Sequence, residues 1–221
     1  MKAIAINGSP RKGWNTDMLL QQALKGAEDA GADTETELIQ LSELTFSGCR
    51  SCFACKKVGA ETGRCMWNDD LRSVFDKILS ADVVFMGSPI YLGNVSGMMF
   101  CLMERLVFSL LSYDDYSKRL FHGKVNSCFF FTMNAPKVYA KTAYHGIMKQ
   151  YAGAMKRLGG NTEYYAACDT LQFEDYSRFA AGTFDEAHKR KVREEQFPKD
   201  LQAAYDIGFR LATPDLQQKG N

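Results

Sequence analysis

The chain has 221 residues, 46% of them hydrophobic and 24% charged, enough to bury one substantial core and within the usual size of a single domain. Its 27 basic and 26 acidic residues leave a net charge of +1 and form no basic tract, which argues against a nucleic-acid partner. The apolar run at the start breaks at Asn7-Gly8-Ser9-Pro10, too early for a signal peptide. The stretch 98–111 is interrupted by Glu104 and Arg105 and falls short of the roughly 20 residues that cross a bilayer, so no membrane segment is expected.

A strand at 3–6 leads into a helix at 16–30. A second strand at 35–41 is followed by an irregular cysteine-bearing stretch at 47–68 and a helix at 71–79. A third strand at 83–86 precedes a helix at 97–111, and a fourth at 125–131 precedes a helix at 142–158. A fifth strand at 163–167 gives way to an aromatic stretch at 170–184, too long for an ordinary connection, and then to a helical stretch at 187–211 that Pro198 can break. Strict alternation of strand and helix predicts parallel strands joined by right-handed crossovers, a doubly wound α/β sheet. Five strands without a G-x-G-x-x-G turn after the first favour the flavodoxin-like order 2-1-3-4-5 over a six-stranded dinucleotide-binding sheet. No repeat, low-complexity tract or linker marks a boundary, so residues 1–221 read as one domain carrying the insertions 47–68 and 170–184. Seven cysteines, an odd number, in such a fold fit reduced thiols in a cytoplasmic protein.

The turn after the first strand, Gly8-Ser9-Pro10-Arg11-Lys12-Gly13-Trp14-Asn15-Thr16, is rich in hydroxyl, amide and cationic groups and opens into a helix. It reads either as an anion site, with helix N–H groups, Ser9, Thr16 and Arg11 as donors, or as an ordinary helix start capped by Asn15 or Thr16. Position favours the anion, because the first turn of an open parallel sheet lies at its topological switch point, where ligands bind. The third strand ends in Gly87-Ser88-Pro89-Ile90-Tyr91-Leu92-Gly93-Asn94-Val95-Ser96-Gly97, which would face a flat ring, or else is a proline-containing loop with its tyrosine packed on the core. Thr132-Met133-Asn134-Ala135-Pro136 supplies a third polar turn at the same edge.

Cys49, Cys52, Cys55 and Cys65 are spaced C-x2-C-x2-C-x9-C. Three readings stand: ligands of a [4Fe–4S] cluster, ligands of a structural zinc, or small thiols lining a loop. His122, His145 and His188 lack ligand spacing and receive no role. The stretch 97–111 is apolar nearly all round, which predicts a subunit contact and hence a homo-oligomer, a dimer or a tetramer.

GSPRKGWNT, GCRSCFAC with a later cysteine before Asp69-Asp70, Ala81-Asp82 leading into SPIYLGNVSG, and DTLQFEDYSRF together resemble the NADPH-dependent FMN reductase and iron–sulfur flavoprotein superfamily, of multimeric flavodoxin type. The resemblance spans nearly the whole chain. It implies that Ser9, Arg11, Asn15 and Thr16 hold the FMN phosphate, that Pro89, Ile90, Tyr91, Leu92 and Gly93 contact the ring, and that Thr132 with Asn134 closes the pocket. It also implies two-electron transfer from NAD(P)H through FMN to a quinone, flavin, azo compound, metal ion or protein, with no catalytic side chain required because the flavin carries the chemistry. An electron carrier working between proteins is the alternative, against which the near-neutral charge argues.

Overall fold

A computed structural model describes residues 1–59 and 63–213; residues 60–62 of the cysteine-bearing stretch and the last eight residues of the expected domain lie outside the described residues. Five parallel strands, β1 (Lys2–Asn7), β2 (Glu35–Gln40), β3 (Val83–Tyr91), β5 (Val125–Thr132) and β6 (Gly159–Ala167), run in the order β2-β1-β3-β5-β6. A two-residue strand, β4 (Asn94–Val95), pairs antiparallel with the end of β3. Leaving β4 aside, this is the 2-1-3-4-5 order expected of a flavodoxin-like sheet.

The central strands are apolar on both faces because helices cover both. Ile4, Ile6, Val84, Met86, Phe129 and Phe131 point toward α2 (Leu71–Ser80), α3 (Gly97–Leu110) and α5 (His145–Met155). The alternate residues Ala3, Ala5, Val83, Phe85, Cys128 and Phe130 meet α1 (Asn15–Asp29) and α7 (Phe197–Ala212). All eight residues of β5 are buried.

The elements depart from the sequence expectation at the end of β3 and over the helix expected at 142–158, and follow it at the last helical stretch. β3 continues past Met86 to Tyr91, because the chain folds back there as a hairpin instead of entering a loop. The helix expected at 142–158 is two helices, α4 (Lys137–Thr142) and α5, with only Ala140 of α4 buried; a short 3₁₀ turn, Lys156–Leu158, then leads straight into β6 through Gly159 at φ +82°. The last helical stretch breaks as Pro198 suggested, into α6 (Glu186–Glu195) and α7, with the proline in the first turn of α7, where its missing N–H costs nothing.

α1 and α7 cross at closest approach through Gly26 and Gly208. A Cβ on Gly208 would stand 1.9 Å from the Ala23 carbonyl oxygen, and one on Gly26 would stand 2.0 Å from that of Tyr205. Beside this contact, Asp200 of α7 is buried; its Oδ1 accepts from Tyr165 Oη at 2.7 Å and from Gln196 Nε2 at 2.7 Å, while Oδ2 has no partner among the described residues. Burial pushes the Asp200 carboxyl pKa up, against the two hydrogen bonds.

Gly208→Ala should lose about 1–3 kcal/mol in chemical denaturation, since overpacking two helix backbones outweighs the better helix propensity of alanine. For Asp200, a folded-state pKa above the unfolded one means that the folded state holds its proton longer. The stability contribution is therefore full at low pH and lost as pH rises through the folded value. Wild type should gain stability relative to Asp200→Asn as the pH is lowered from 7 to about 4, whatever the constant offset between them. A stability difference that does not change with pH would refute this.

Candidate functional site

The turn after β1 is fixed from below by a buried amide pair. Asn7 Oδ1 accepts from the Ser9 N–H at 2.9 Å, Asn7 Nδ2 donates to Gln40 Oε1 at 2.8 Å, and Gln40 Nε2 returns to the Ser9 carbonyl at 2.5 Å. Ser9 Oγ accepts from the Arg11 N–H, and Gly13 turns the chain at φ +66°. Neither Asn15 nor Thr16 caps α1, because both lie inside its first turn. Trp14 occupies the cap position and offers no side-chain bond, so the leading N–H groups of the helix are left for an anion. Asn15 instead donates to the Leu171 carbonyl at 2.8 Å and accepts from Arg193 at 3.0 Å. Thr16 Oγ1 meets Thr132 Oγ1 at 2.8 Å, joining the first and third turns. The Arg11 guanidinium lies 4.1 Å from the centroid of the Trp14 ring and donates to the Gln172 carbonyl at 2.7 Å.

The second turn is the hairpin between β3 and β4. Its two turn residues, Leu92 and Gly93, have φ of +49° and +80°, a left-handed pair that suits glycine and strains leucine. Tyr151 Oη holds the far strand by donating to Asn94 Oδ1 at 2.8 Å.

These turns enclose one cleft of ≈ 650 Å³ at the carboxyl edge of the sheet, a size suited to a small ligand. Of the residues that the sequence singled out for the cofactor, all but Gly93 line it; Gly93 bends the hairpin and stays off the wall. The structure adds Trp14, Met133, Thr170, Gln172 and Phe184. Trp14 stood inside the quoted first turn, and Thr170 and Gln172 inside the late segment, but neither place carried a signal of the role. Two atoms of the lining side chains, the Trp14 indole Nε1 and Asn134 Oδ1, are buried without a partner among the described residues. An orphaned donor and an orphaned acceptor each cost about 1–3 kcal/mol until a ligand satisfies them. FMN offers phosphate oxygens to the one and a ring N–H to the other, so the residues present fit it.

The four cysteines line a separate small cavity with Arg105 and Phe108. Cys52 is exposed and Cys55 buried, and burial pushes the Cys55 thiol pKa up. Among the described residues, no three His, Cys, Asp or Glu side chains stand where they could hold a metal ion. As arranged, the thiols do not fit a single metal ion such as zinc, although all four line the same cavity. The same segment is bonded to α3 at several points. Lys56 Nζ donates to the Phe108 and Leu111 carbonyls at 2.5 and 2.6 Å, ending the helix. The Cys49 N–H meets Glu104 Oε2 at 2.7 Å. Arg105, read from sequence as an interruption, is fully buried; it pairs with Asp69 at 2.6 Å and donates to the Ser47 carbonyl at 3.1 Å.

The profile of the NADPH-dependent FMN reductase family matches residues 1–152. The chain belongs to that family. An iron–sulfur flavoprotein of Methanocaldococcus jannaschii is 39% identical over 105 residues, covering 48% of this chain and 51% of the relative. One of Methanosarcina thermophila is 33% identical over 107 residues, covering 48% and 53%. The matches thus span about half the length of these relatives. Among solved structures, the NAD(P)H:quinone oxidoreductase of Methanothermobacter marburgensis superposes with a TM-score of 0.65 at 14% identity, covering 96% of each chain. An azoreductase of Bacillus anthracis gives 0.64 at 13%, covering 95% of this chain and 99% of that one. At such identities the likeness is one of fold.

Arg11→Ala should weaken FMN binding roughly tenfold to a hundredfold, the value of one charge-assisted contact to phosphate. Fluorescence titration of flavin-free protein measures it, and an unchanged affinity would remove Arg11 from the site.

Proposed function

We propose that the chain holds FMN in this cleft and passes reducing equivalents from NAD(P)H to a small-molecule acceptor, a quinone, flavin, azo compound or metal ion. The convergence of three turns from distant parts of the sequence on one cleft, with an uncapped helix start at one end and an orphaned Asn134 oxygen beside the hairpin, carries this reading. FMN when bound supplies the two-electron chemistry. The protein's part is to bind, orient and shield. The first N–H groups of α1, with Ser9, Thr16 and Arg11, hold the phosphate against the positive end of the helix. Pro89, Ile90, Tyr91 and Leu92 contact the ring from the hairpin, while Thr132 and Asn134 close the pocket on the β5 side. Ile90, Met133 and Phe184 keep water from the ring's neighbourhood.

Oligomer formation finds support in a ladder of rings, Phe53, Phe108, Tyr113 and Tyr116, with successive centroids 5.6–6.1 Å apart and Phe53, Tyr113 and Tyr116 exposed. Covering it with a second copy fits the homo-oligomer expected from the sequence. No helix of the described residues is long and apolar enough to cross a membrane. A cytoplasmic location belongs to the same proposal.

A second reading has its own observation. The four thiols share one cavity and the curated relatives are named iron–sulfur flavoproteins, so electron transfer through a cluster formed after rearrangement of this segment is the rival. Anaerobically purified protein should show flavin absorbance, release FMN and not FAD on denaturation, and oxidise NADH or NADPH with a quinone or free FMN as acceptor. Iron analysis of the same preparation, with Cys52→Ser beside it, separates the readings. Iron and sulfide that vanish in Cys52→Ser while flavin stays would establish the rival, and flavin lost with Cys52 would place the thiols in the flavin pocket. Absence of bound flavin would overturn both.

A further inference from the structure

Beside the cleft lies a second chamber of ≈ 510 Å³ that shares Ile90, Met133, Asn134 and Phe184 with it, so the two adjoin. Its outer wall is aromatic and its inner end ionic. Tyr139 and Tyr144 stand 6.4 Å apart, ring to ring, opposite the first turns of α6. Lys189 of α6 is almost fully buried. Its Nζ donates to the Asn134 carbonyl at 2.6 Å and to the Asp169 carboxylate, while His188 Nε2 meets the other Asp169 oxygen at 2.5 Å. Asp169 holds a left-handed φ of +59°, unusual for a residue other than glycine, with its N–H on the Ala135 carbonyl. Burial pushes its pKa up, but the bonds from Lys189 and His188 outweigh this and keep the carboxyl below its ordinary value.

Charge restricts what this chamber takes. Among the described residues lining it, Lys189 is the one lysine or arginine, and Asp169 already engages it; Asp169 and Asp185 add two carboxylates. The pyrophosphate of a dinucleotide would meet negative charge and no available cation. The aromatic walls instead suit a flat, uncharged ligand. With Nε2 fixed on Asp169, the imidazole presents Nδ1, which donates in the protonated ring and accepts in the neutral one. Such a group pairs equally with a carbonyl oxygen and with a hydroxyl.

Resting on the FMN reading above, we propose that this chamber is the acceptor site, that it binds uncharged aromatic quinones flat against Tyr139, Tyr144 and Phe184, and that His188, held by Asp169, is the residue that hydrogen-bonds the quinone oxygen. Asp169, Phe184, His188 and Lys189 come from residues after 152, outside the span matched by the family profile, whereas Tyr139 and Tyr144 lie within it.

The test uses the flavin-loaded, oxidised protein without nicotinamide donor, titrated with 1,4-naphthoquinone by calorimetry and by NMR of its three histidines. Quinone should shift the His188 ring resonances and leave those of His122 in place. His188→Ala should weaken the quinone roughly tenfold, the worth of one hydrogen bond to a chargeable group, with flavin content unchanged. Naphthalene, which has the rings without the oxygens, should bind weakly and equally to both proteins, and inorganic pyrophosphate should not displace the quinone. His188→Gln, able to reach Asp169 but not the ligand as well, should show the same loss and serves if the alanine variant misfolds. Equal quinone affinity in wild type and both variants, or naphthalene binding wild type as tightly as the quinone does, would overturn the proposal. If the protein carries no flavin the FMN reading fails on its own, and the NMR titration of the flavin-free chain still reports whether the quinone reaches His188.

Discussion

The site depends on how closely two backbones approach at Gly8 and Gly87. The Gly8 N–H donates to the Gly87 carbonyl at 2.8 Å, and the Gly8 carbonyl accepts from Ser96 Oγ at 2.6 Å, so the first turn, the end of β3 and the start of α3 meet at one residue. A Cβ on Gly8 would press on Met99 Cβ at 2.8 Å, and one on Gly87 would press on Thr16 and Leu20 at the same distance. Side chains at either position would pry the α1 start away from the hairpin turn, and the cleft exists only while these are neighbours. Ser96 Oγ also caps α3 through the Met99 N–H, which couples the entry of that helix to the same junction. The three turns are thus placed by close backbone contact, together with the buried Asn7–Gln40 amide pair beneath the first of them.

What the sequence made legible was periodicity and punctuation. Alternating strand and helix, β-branched and aromatic runs, and the glycine-proline turns located every long strand and the strand order, because burial on both faces leaves continuous apolar signatures such as 125–131. The cofactor turns were legible for the same reason: they are the ends of strands. Pairings made across the chain left no local trace. Arg105 looked like a break in an apolar helix, yet it is the buried hub that ties Ser47 and Asp69 to α3, and no spacing announces a partner 36 residues away. His188 lacked ligand spacing in sequence, and its partner, Asp169, lies 19 residues back in the irregular segment after β6. Leu92 gave no sign of the left-handed turn it must adopt, since only its neighbour is glycine.

Arg105 also explains why the thiol segment and the flavin cleft are separate bodies of structure. A buried arginine paired with a carboxylate offsets part of its desolvation through further hydrogen bonds, and here the terminal nitrogens of Arg105 donate to the Ser47 and Trp67 carbonyls as well as to Asp69, while Nε has no partner among the described residues. Both ends of the cysteine-bearing stretch are therefore tied to α3, on the sheet face opposite α1 and the phosphate turn. Rearrangement of the thiols would leave Gly8, Thr16 and Thr132 untouched so long as Arg105 keeps its partners.

The cleft's other wall arises late in the chain. Asn15 donates to the Leu171 carbonyl and accepts from Arg193, Arg11 donates to the Gln172 carbonyl, and Thr170 Oγ1 donates to the Met133 carbonyl at 3.1 Å. Each bond joins a residue of the first or third turn to a segment that the α1–α7 contact brings back across the sheet. Closing so long a loop costs only slightly more entropy than closing a shorter one, and the glycine-to-backbone packing of α1 on α7 supplies the enthalpy that holds it. Residues 1–152 supply the three turns of the cleft and Tyr139 and Tyr144 of the chamber beside it, and residues beyond them add Thr170, Gln172 and Phe184 to the first and Asp169, His188 and Lys189 to the second. Chains that share the first part and differ in the second would keep one cofactor turn set and change acceptor, which is how a common cleft can serve several reactions without altering Ser9, Thr16 or the hairpin.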